Sequence, residues 1–233
     1  MTFSLAGRCG HTGAVGAVIA SASMAVAGRC LAVRAGVGAV ASQSTTDPRL
    51  REELLTAMAA GRPAADAVTG LVSRTGDVSY RQLVAVDAAG GAAAWSGDRA
   101  LGLAADVRAA DAAAAGNLLA DRDVPAAMLA AFGQRPDDSL GDRLIAALRA
   151  GLNAGGEISP VRSAGLLIAT SVPWPVTDLR VDGDDDPVGQ LARLWQEWQP
   201  QAESYVARAL HPAEPETGRP ATEPPARPAT GGP

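Results

Sequence analysis

The sequence contains no lysine, and its basic side chains are all arginine apart from two histidines. A protein without lysine has no side chain for Schiff-base chemistry and no lysine general base. Arginine does not take over these roles, because its guanidinium stays protonated. The net charge is −5 at pH 7 and the chain has no basic run. We therefore expect no nucleic-acid partner.

Aromatic residues and cysteine are also scarce. Aromatic side chains make up 3% of the chain against 47% hydrophobic residues, so Ala, Val, Leu and Ile must build the core. No secretory context supports a disulfide between Cys9 and Cys30, and we expect two reduced core thiols. The acidic stretch 178–186 does not have the spacing of a calcium loop, with its glycine and final glutamate. We expect no metal and no cofactor.

The sequence has no convincing membrane segment. Residues 13–28 are apolar, but they are rich in Gly, Ala and Ser and end at Arg29. They fall short of the roughly 20 strongly apolar residues that a spanning helix needs. The residues before them carry a single charge, Arg8, which is not typical of a signal peptide. The sequence predicts a cytoplasmic protein with no membrane partner.

The chain divides into one domain and a tail. The length and hydrophobic content suit a single large domain, which we place at 1–210. From residue 211 onward the chain is rich in proline, with Glu, Thr and Gly. Such a composition cannot bury enough apolar surface to offset the entropy of ordering. We therefore predict that 211–233 is a disordered tail.

Hydrophobic patterning predicts a mixture of strands and helices. Alternating or continuous apolar runs predict strands at 2–6, 14–21, 30–34, 37–43, 81–87, 92–96, 162–170 and 176–182. Apolar residues at helical spacing predict helices at 48–60, 63–73, 124–132, 139–152 and 187–210. Residues 98–115 are so rich in Ala and Asp that no element is predicted there. This order is α+β, and two sheets covered by helices on both outer faces would accommodate it.

Thr2 is the first candidate for a catalytic residue. It is small enough for Met1 to be removed during maturation, which would leave a hydroxyl and a free α-amine on one residue. The amine, with an ordinary pKa of about 7.7–8.0, would then be a general base within reach of the hydroxyl. Many proteins begin with Met-Thr by chance, so this dipeptide alone does not assign a function.

A series of different short motifs extends in order from residue 2 to about residue 210. They lie at 2–8, 12–13, 19–21, 34–41, 81–82, 86–87, 116–117, 162–164 and 178–188. Together they resemble a bacterial family, domain of unknown function 1028. The order of strands and helices, with Thr at position 2, is similar to the N-terminal-nucleophile (Ntn) hydrolase fold. That fold is a four-layer αββα sandwich, which proteasome subunits share.

The resemblance implies that Thr2 hydrolyses an amide or peptide-like bond in a small metabolite, in a homo-oligomer. Ser21 falls near the position of an Asp in proteasome-type sites. The backbone at Gln43 and Ser44 is the candidate oxyanion hole, and Asn117 could donate a hydrogen bond to the amine or the substrate. The Lys of proteasome-type sites is missing. Arg29 lies near its place in the sequence and could at most lower the pKa of the amine.

Several residues depart from the family pattern. Cys9 stands where the family usually has Asp, and Ala115 stands where it has Gln. A Gly-His pair is missing from 98–115. These losses favour an alternative, a catalytically degenerate member that binds a ligand or is a structural subunit of an oligomer. The intact Thr2 and the residues after it favour the hydrolase, and the sequence leaves both open.

Overall fold

Residues 2–213, the part of the chain that the computed structural model describes, form two antiparallel sheets with helices around them. The strands are β1 Thr2–Arg8, β2 Val15–Ser21, β3 Leu31–Arg34, β4 Gly38–Ser44, β5 Arg81–Asp87, β6 Ala92–Ser96, β7 Ala105–Ala109, β8 Ala112–Asn117, β9 Ser163–Ala169 and β10 Thr177–Val181. The α-helices are α1 Val26–Cys30, α2 Arg49–Ala59, α3 Ala64–Arg74, α4 Val124–Gly133, α5 Leu140–Asn153, α6 Pro187–Trp198 and α7 Ala202–Leu210.

The six-stranded sheet has the order β10-β9-β2-β1-β8-β7, and the four-stranded sheet has the order β3-β4-β5-β6. Strand β1 is therefore central and pairs with β2 on one side and β8 on the other. Both faces of this strand are covered, so nearly all of its residues are buried whichever way they point. A strand covered on both faces has no solvent side that would require polar alternation.

Three hydrophobic clusters separate four layers. One cluster lies between the six-stranded sheet and helices α4, α5 and α6. Another lies between the four-stranded sheet and helices α2 and α3. The middle cluster, between the sheets, consists largely of small side chains such as Ala6, Ala17, Ala41 and Ala113. The predicted αββα sandwich is thus confirmed, and the scarcity of aromatic residues is matched by this alanine-rich middle layer.

The hairpin of β7 and β8 lies in the stretch where no element was predicted. Strand β8 consists of four alanines followed by Gly116 and Asn117, and alanine has a low intrinsic preference for strands. Pairing overrides that preference, because β8 lies between β1 and β7 and all its residues are buried. The hairpin matters for the site, since it places Asn117 directly opposite Thr2.

One further prediction needs correction. The single helix predicted at 187–210 is broken, because α6 ends at Trp198 and a 3₁₀ turn, Gln199–Gln201, precedes α7. Pro200 lies in that turn, where it lacks the N–H that a continuous helix would require. The short helix α1 was not predicted. Most of the predicted disordered tail, 214–233, lies outside the described residues.

Other expectations agree with the structure. Cys9 and Cys30 are free and buried, as predicted for core thiols. Within residues 2–213 we find no helix with the length and apolar character required to cross a bilayer.

A glycine pair tests the packing of α5 against α6. A Cβ at Gly141 would lie 2.1 Å from the indole ring of Trp195, whereas a Cβ at Gly133 would meet no atom within 4 Å. We expect Gly141→Ala to lower the free energy of unfolding by about 1–3 kcal/mol, because overpacking forces the ring to shift. Gly133→Ala should be neutral or slightly stabilising. Equal urea midpoints for the two variants would contradict this packing.

Candidate active site

Thr2 lies at the beginning of the central strand β1. It is opposite Asn117 of β8, and the next residue, Phe3, pairs with Ala20 of β2. Directly opposed residues of an antiparallel pair project to the same face of the sheet, so Thr2 shares a face with Asn117. The residue is only 5% exposed. The hydroxyl of Thr2 is therefore buried at the end of the sheet, between two neighbouring strands.

The hydroxyl of Thr2 lies beside the hydroxyl of Ser21. The Oγ1 atom of Thr2 and the Oγ atom of Ser21 lie 3.4 Å apart. The hydroxyl of Ser21 also accepts a hydrogen bond from the Ser23 N–H at 3.0 Å, and its carbonyl accepts one from the Arg162 N–H at 2.7 Å. The structure thus brings together two of the residues predicted for the site, and Ser21 is held by its own backbone contacts.

A chain of buried amides runs from Asn117 across the space between the sheets. The Nδ2 atom of Asn117 donates to Oε1 of Gln82 at 2.9 Å, and Nε2 of Gln43 donates to the same oxygen at 3.1 Å. Gln43 also donates to the carbonyl of Ala115 at 3.1 Å and accepts from the Ser4 hydroxyl at 2.6 Å. The side chain of Gln43 is therefore committed to this network.

Gln82 is central to the network and was not predicted as a site residue. Besides accepting from two amides, its Nε2 atom donates to the Ser96 hydroxyl at 2.9 Å and to the Gly116 carbonyl at 2.8 Å. Ser96 in turn donates to Asp106. The sequence motif Arg81-Gln82 gave a signal for this residue, but it did not reveal that the side chain is buried between the sheets.

The amide oxygen of Asn117 has no hydrogen-bond partner in the described part of the structure, although it is buried. A buried acceptor without a donor costs about 1–3 kcal/mol, so such an atom calls for an explanation. Its amide nitrogen is oriented by Gln82. The expected role of Asn117 as a donor to the amine or the substrate therefore changes, because the unpaired atom opposite Thr2 is an acceptor.

The backbone of Ser44 is unusual. Its φ is 71°, in the left-handed region that serine seldom adopts and that costs about 1–3 kcal/mol. The N–H of Thr45, the residue after β4, donates to the Tyr80 carbonyl on the β5 side. Because the N–H groups of consecutive residues in a strand point to opposite sides, the N–H of Ser44 points away from β5. On that other side the pairing with β3 ends at Leu31 and Ala41. The Ser44 N–H is thus a backbone donor beyond the end of β3.

Arg29 lies on the exposed surface of α1. Its guanidinium donates to the carbonyls of Met24 and Ala25. It is therefore engaged with its own helix, and these contacts do not direct it to Thr2.

Glu157 is a buried acid that the sequence analysis missed. It is 7% exposed, and both of its carboxylate oxygens accept the Ala22 N–H at 3.2 Å. Burial raises the pKa of Glu157 to about 7, although the hydrogen bond from Ala22 acts in the opposite direction. The two glycines before it were interpreted only as the end of a helix. The sequence signal for Glu157 was its position as a single acidic residue between those glycines and an apolar strand.

These features define a class of protein: an αββα sandwich with a buried threonine at the start of its central strand and polar residues from both sheets behind it. The chain belongs to the Family of unknown function (DUF1028), whose model matches residues 2–191. The predicted resemblance to domain of unknown function 1028 is therefore confirmed.

A solved structure agrees with this assignment. The chain is similar to protein SPO2555 from Silicibacter pomeroyi, of the same family, with a TM-score of 0.78 and 35% identity over 84% of this chain and 85% of that chain. A second match is Anbu (ancestral beta-subunit) from Yersinia bercovieri, with a TM-score of 0.35 and 10% identity over 88% of this chain and 97% of that one. A superposition at that level does not establish a shared fold. Among curated proteins, none matches the chain significantly.

Proposed function

We propose that the protein is an N-terminal-nucleophile hydrolase that cleaves an amide or peptide-like bond in a small metabolite. The observation that carries this proposal is the placement of the Thr2 hydroxyl, buried at the beginning of the central strand beside Ser21 and opposite Asn117. Removal of Met1 would put a free α-amine on the same residue. A hydroxyl with an amine on its own carbon skeleton is a recognised nucleophile arrangement.

The proposed reaction proceeds through an ester on Thr2. The Oγ1 atom attacks the carbonyl carbon of the substrate while the α-amine takes the hydroxyl proton. The resulting ammonium then protonates the nitrogen of the leaving amine, and the C–N bond breaks. A water molecule, deprotonated by the same amine, hydrolyses the ester and releases the carboxylic acid. The amine alone moves the protons, and no cofactor is required.

Neighbouring groups supply the rest of the site. The Ser44 N–H at the end of β4 is the proposed oxyanion donor, since a preorganised backbone N–H stabilises the developing negative charge. Ser21 would hold the Thr2 hydroxyl in its attacking orientation. Gln43 would act through the amide network behind Asn117.

Two apolar side chains next to Asn117 bear on the choice of substrate. The Leu118 N–H donates to the Leu101 carbonyl, and the Ile158 N–H donates to the Leu118 carbonyl, so these residues are contiguous. Leu101 is 42% exposed and Ile158 is 64% exposed. Apolar lining with a few polar groups is typical of small-molecule sites. We therefore choose probes with an apolar acyl chain.

We also propose that the enzyme is a cytoplasmic homo-oligomer. Light scattering would measure its oligomeric state.

Intact-mass measurement of the native protein tests the first requirement. We expect a mass lower by one methionine residue than the mass of the full sequence, whereas a Thr2→Leu variant, whose larger second residue should keep Met1, should have the mass of its own full sequence. Incubation with an alkyl β-lactone should then add one acyl group, located on Thr2 by peptide mapping. Retention of Met1 would exclude the proposed function. Removal of Met1 without acylation, and without hydrolysis of acyl anilides, would favour the alternative of a degenerate, ligand-binding or structural subunit.

A further inference from the structure

The segment around Glu157 fills the place in the sheet ahead of Thr2. Strand β1 lies between β2 and β8, which end at Ser21 and Asn117 beside its beginning, and the chain runs on from them at Ala22 and Leu118. On the β8 side, the Ala120 N–H donates to the Gly156 carbonyl, and Leu119 pairs with Glu157. On the β2 side, the Glu157 carboxylate accepts the Ala22 N–H. A segment that contacts the continuations of both neighbours must lie where β1 itself would have continued.

The backbone nitrogen of Thr2 is the atom at that end of β1. Once Met1 is removed, this nitrogen becomes an α-amino group at the boundary between β1 and the Glu157 segment. The unpaired oxygen of Asn117 is on the residue directly opposite. Two acceptors, one carboxylate and one amide oxygen, thus lie around the position of a group that carries three N–H donors when protonated.

The carboxylate has no other cation among residues 2–213 to balance it. Arg29 follows Ala22 closely in the sequence, and Arg162 follows Glu157 closely, but both are engaged elsewhere. Arg29 donates to the carbonyls of Met24 and Ala25, and Arg162 pairs with Asp185. A buried acid is usually paired or neutralised, since isolated charges are costly to remove from water. An ammonium group at Thr2 would provide that partner.

We infer that Glu157 is a positioning residue that holds the α-amino group of Thr2 and balances its charge, together with the amide oxygen of Asn117. This inference rests on the proposed function, because it requires a free amine at Thr2. When the amine takes the proton of the Thr2 hydroxyl, the Glu157 carboxylate offsets the new positive charge. No bond to Glu157 forms or breaks. The ammonium keeps the proton until it passes to the leaving nitrogen.

The raised pKa of Glu157 is consistent with this role. Burial raises this pKa to about 7, because the buried carboxylate is costly to charge on its own. An ammonium beside the carboxylate would favour its charged form and lower this pKa again.

The test measures the pKa of the Thr2 amine in the Glu157→Gln variant, by NMR on protein labelled with ¹³C-threonine. Gln keeps an oxygen that can accept the Ala22 N–H, but it removes the charge. An opposite charge nearby favours the ammonium, so we expect the amine pKa to fall by about 1–3 units from the wild-type value. Glu157→Asp, which keeps the charge, should restore part of the difference. Glu197→Gln, the same change on the exposed face of α6, should leave the amine pKa unchanged.

The outcomes separate this inference from the proposed function. If the amine titrates at the same pH in wild type and Glu157→Gln, or in wild type and Glu157→Ala where the Gln variant does not fold, the inference is wrong even where Thr2 is acylated by the β-lactone. If the amine pKa shifts but Thr2 is not acylated, the inference holds and the hydrolase proposal fails. Retention of Met1, visible in the intact mass, overturns both.

Discussion

Thr2→Ala is expected to abolish acylation by an alkyl β-lactone and to lower kcat/KM on any acyl anilide that the wild type cleaves by about 10⁴-fold or more. The reason is that alanine removes the only atom proposed to bond to the substrate carbon, while the amine, the Ser44 N–H and the amide network stay in place. Losses of this size are typical when a covalent nucleophile is deleted. Peptide mapping by mass spectrometry checks the acylation, and initial rates check the turnover.

Thr2→Ser is the matched control, because it keeps the hydroxyl and the free amine and loses only a methyl group. We expect this variant to be acylated on residue 2 and to retain measurable turnover. Circular dichroism melts of both variants would show that the fold persists. Turnover by Thr2→Ala at the wild-type rate would show that another group attacks the substrate.

The second large effect is on stability, in Gln82→Leu. Leucine has a similar size but cannot replace four hydrogen bonds, which Gln82 makes with Gln43, Asn117, Ser96 and the Gly116 carbonyl. The Asn117 amide and the Gly116 carbonyl would lose partners in a fully buried site. At about 1–3 kcal/mol for each stranded group, we expect the free energy of unfolding to fall by about 3–5 kcal/mol. Urea denaturation measures it.

Gln134→Leu is the control for this prediction, because Gln134 is exposed at the end of α4. Substitution of an exposed residue without special contacts usually changes stability by less than about 0.5 kcal/mol. If the two glutamine variants unfolded at the same urea concentration, the buried amide network would not contribute to stability as we describe. Loss of the Gln82 side chain should also free Asn117 and so impair the site opposite Thr2.

The elements with strong local patterns could be predicted from the sequence. The strands at 81–87 and 92–96 are found with the predicted bounds, and the helices at 48–60 and 139–152 end within two residues of their predicted ends. In each case apolar residues recur with a clear period, and burial follows that period. The hairpin of β7 and β8 could not be predicted. A run of alanines favours a helix by intrinsic preference, and only pairing with β1 and β7 makes it a strand.

Site residues followed the same division. Thr2, Ser21, Gln43 and Asn117 were candidates because they lie in recognisable motifs, and the structure brings Thr2 together with Ser21 and Asn117. Glu157 and Gln82 were not candidates. Their importance depends on contacts with Ala22, Asn117 and Gln43, which are distant in the chain.

By itself the sequence determined the layer order, the family and the position of a threonine that removal of Met1 would expose. These follow from local periodicity and from motifs that keep their order along the chain. The tertiary structure was needed to find the groups that we propose around that threonine: the unpaired oxygen of Asn117, the turned backbone of Ser44 and the buried carboxylate of Glu157. The physical reason is that hydrogen bonding and burial at Thr2 are set by strands that pair across long stretches of chain, and local patterns carry no information about those partners.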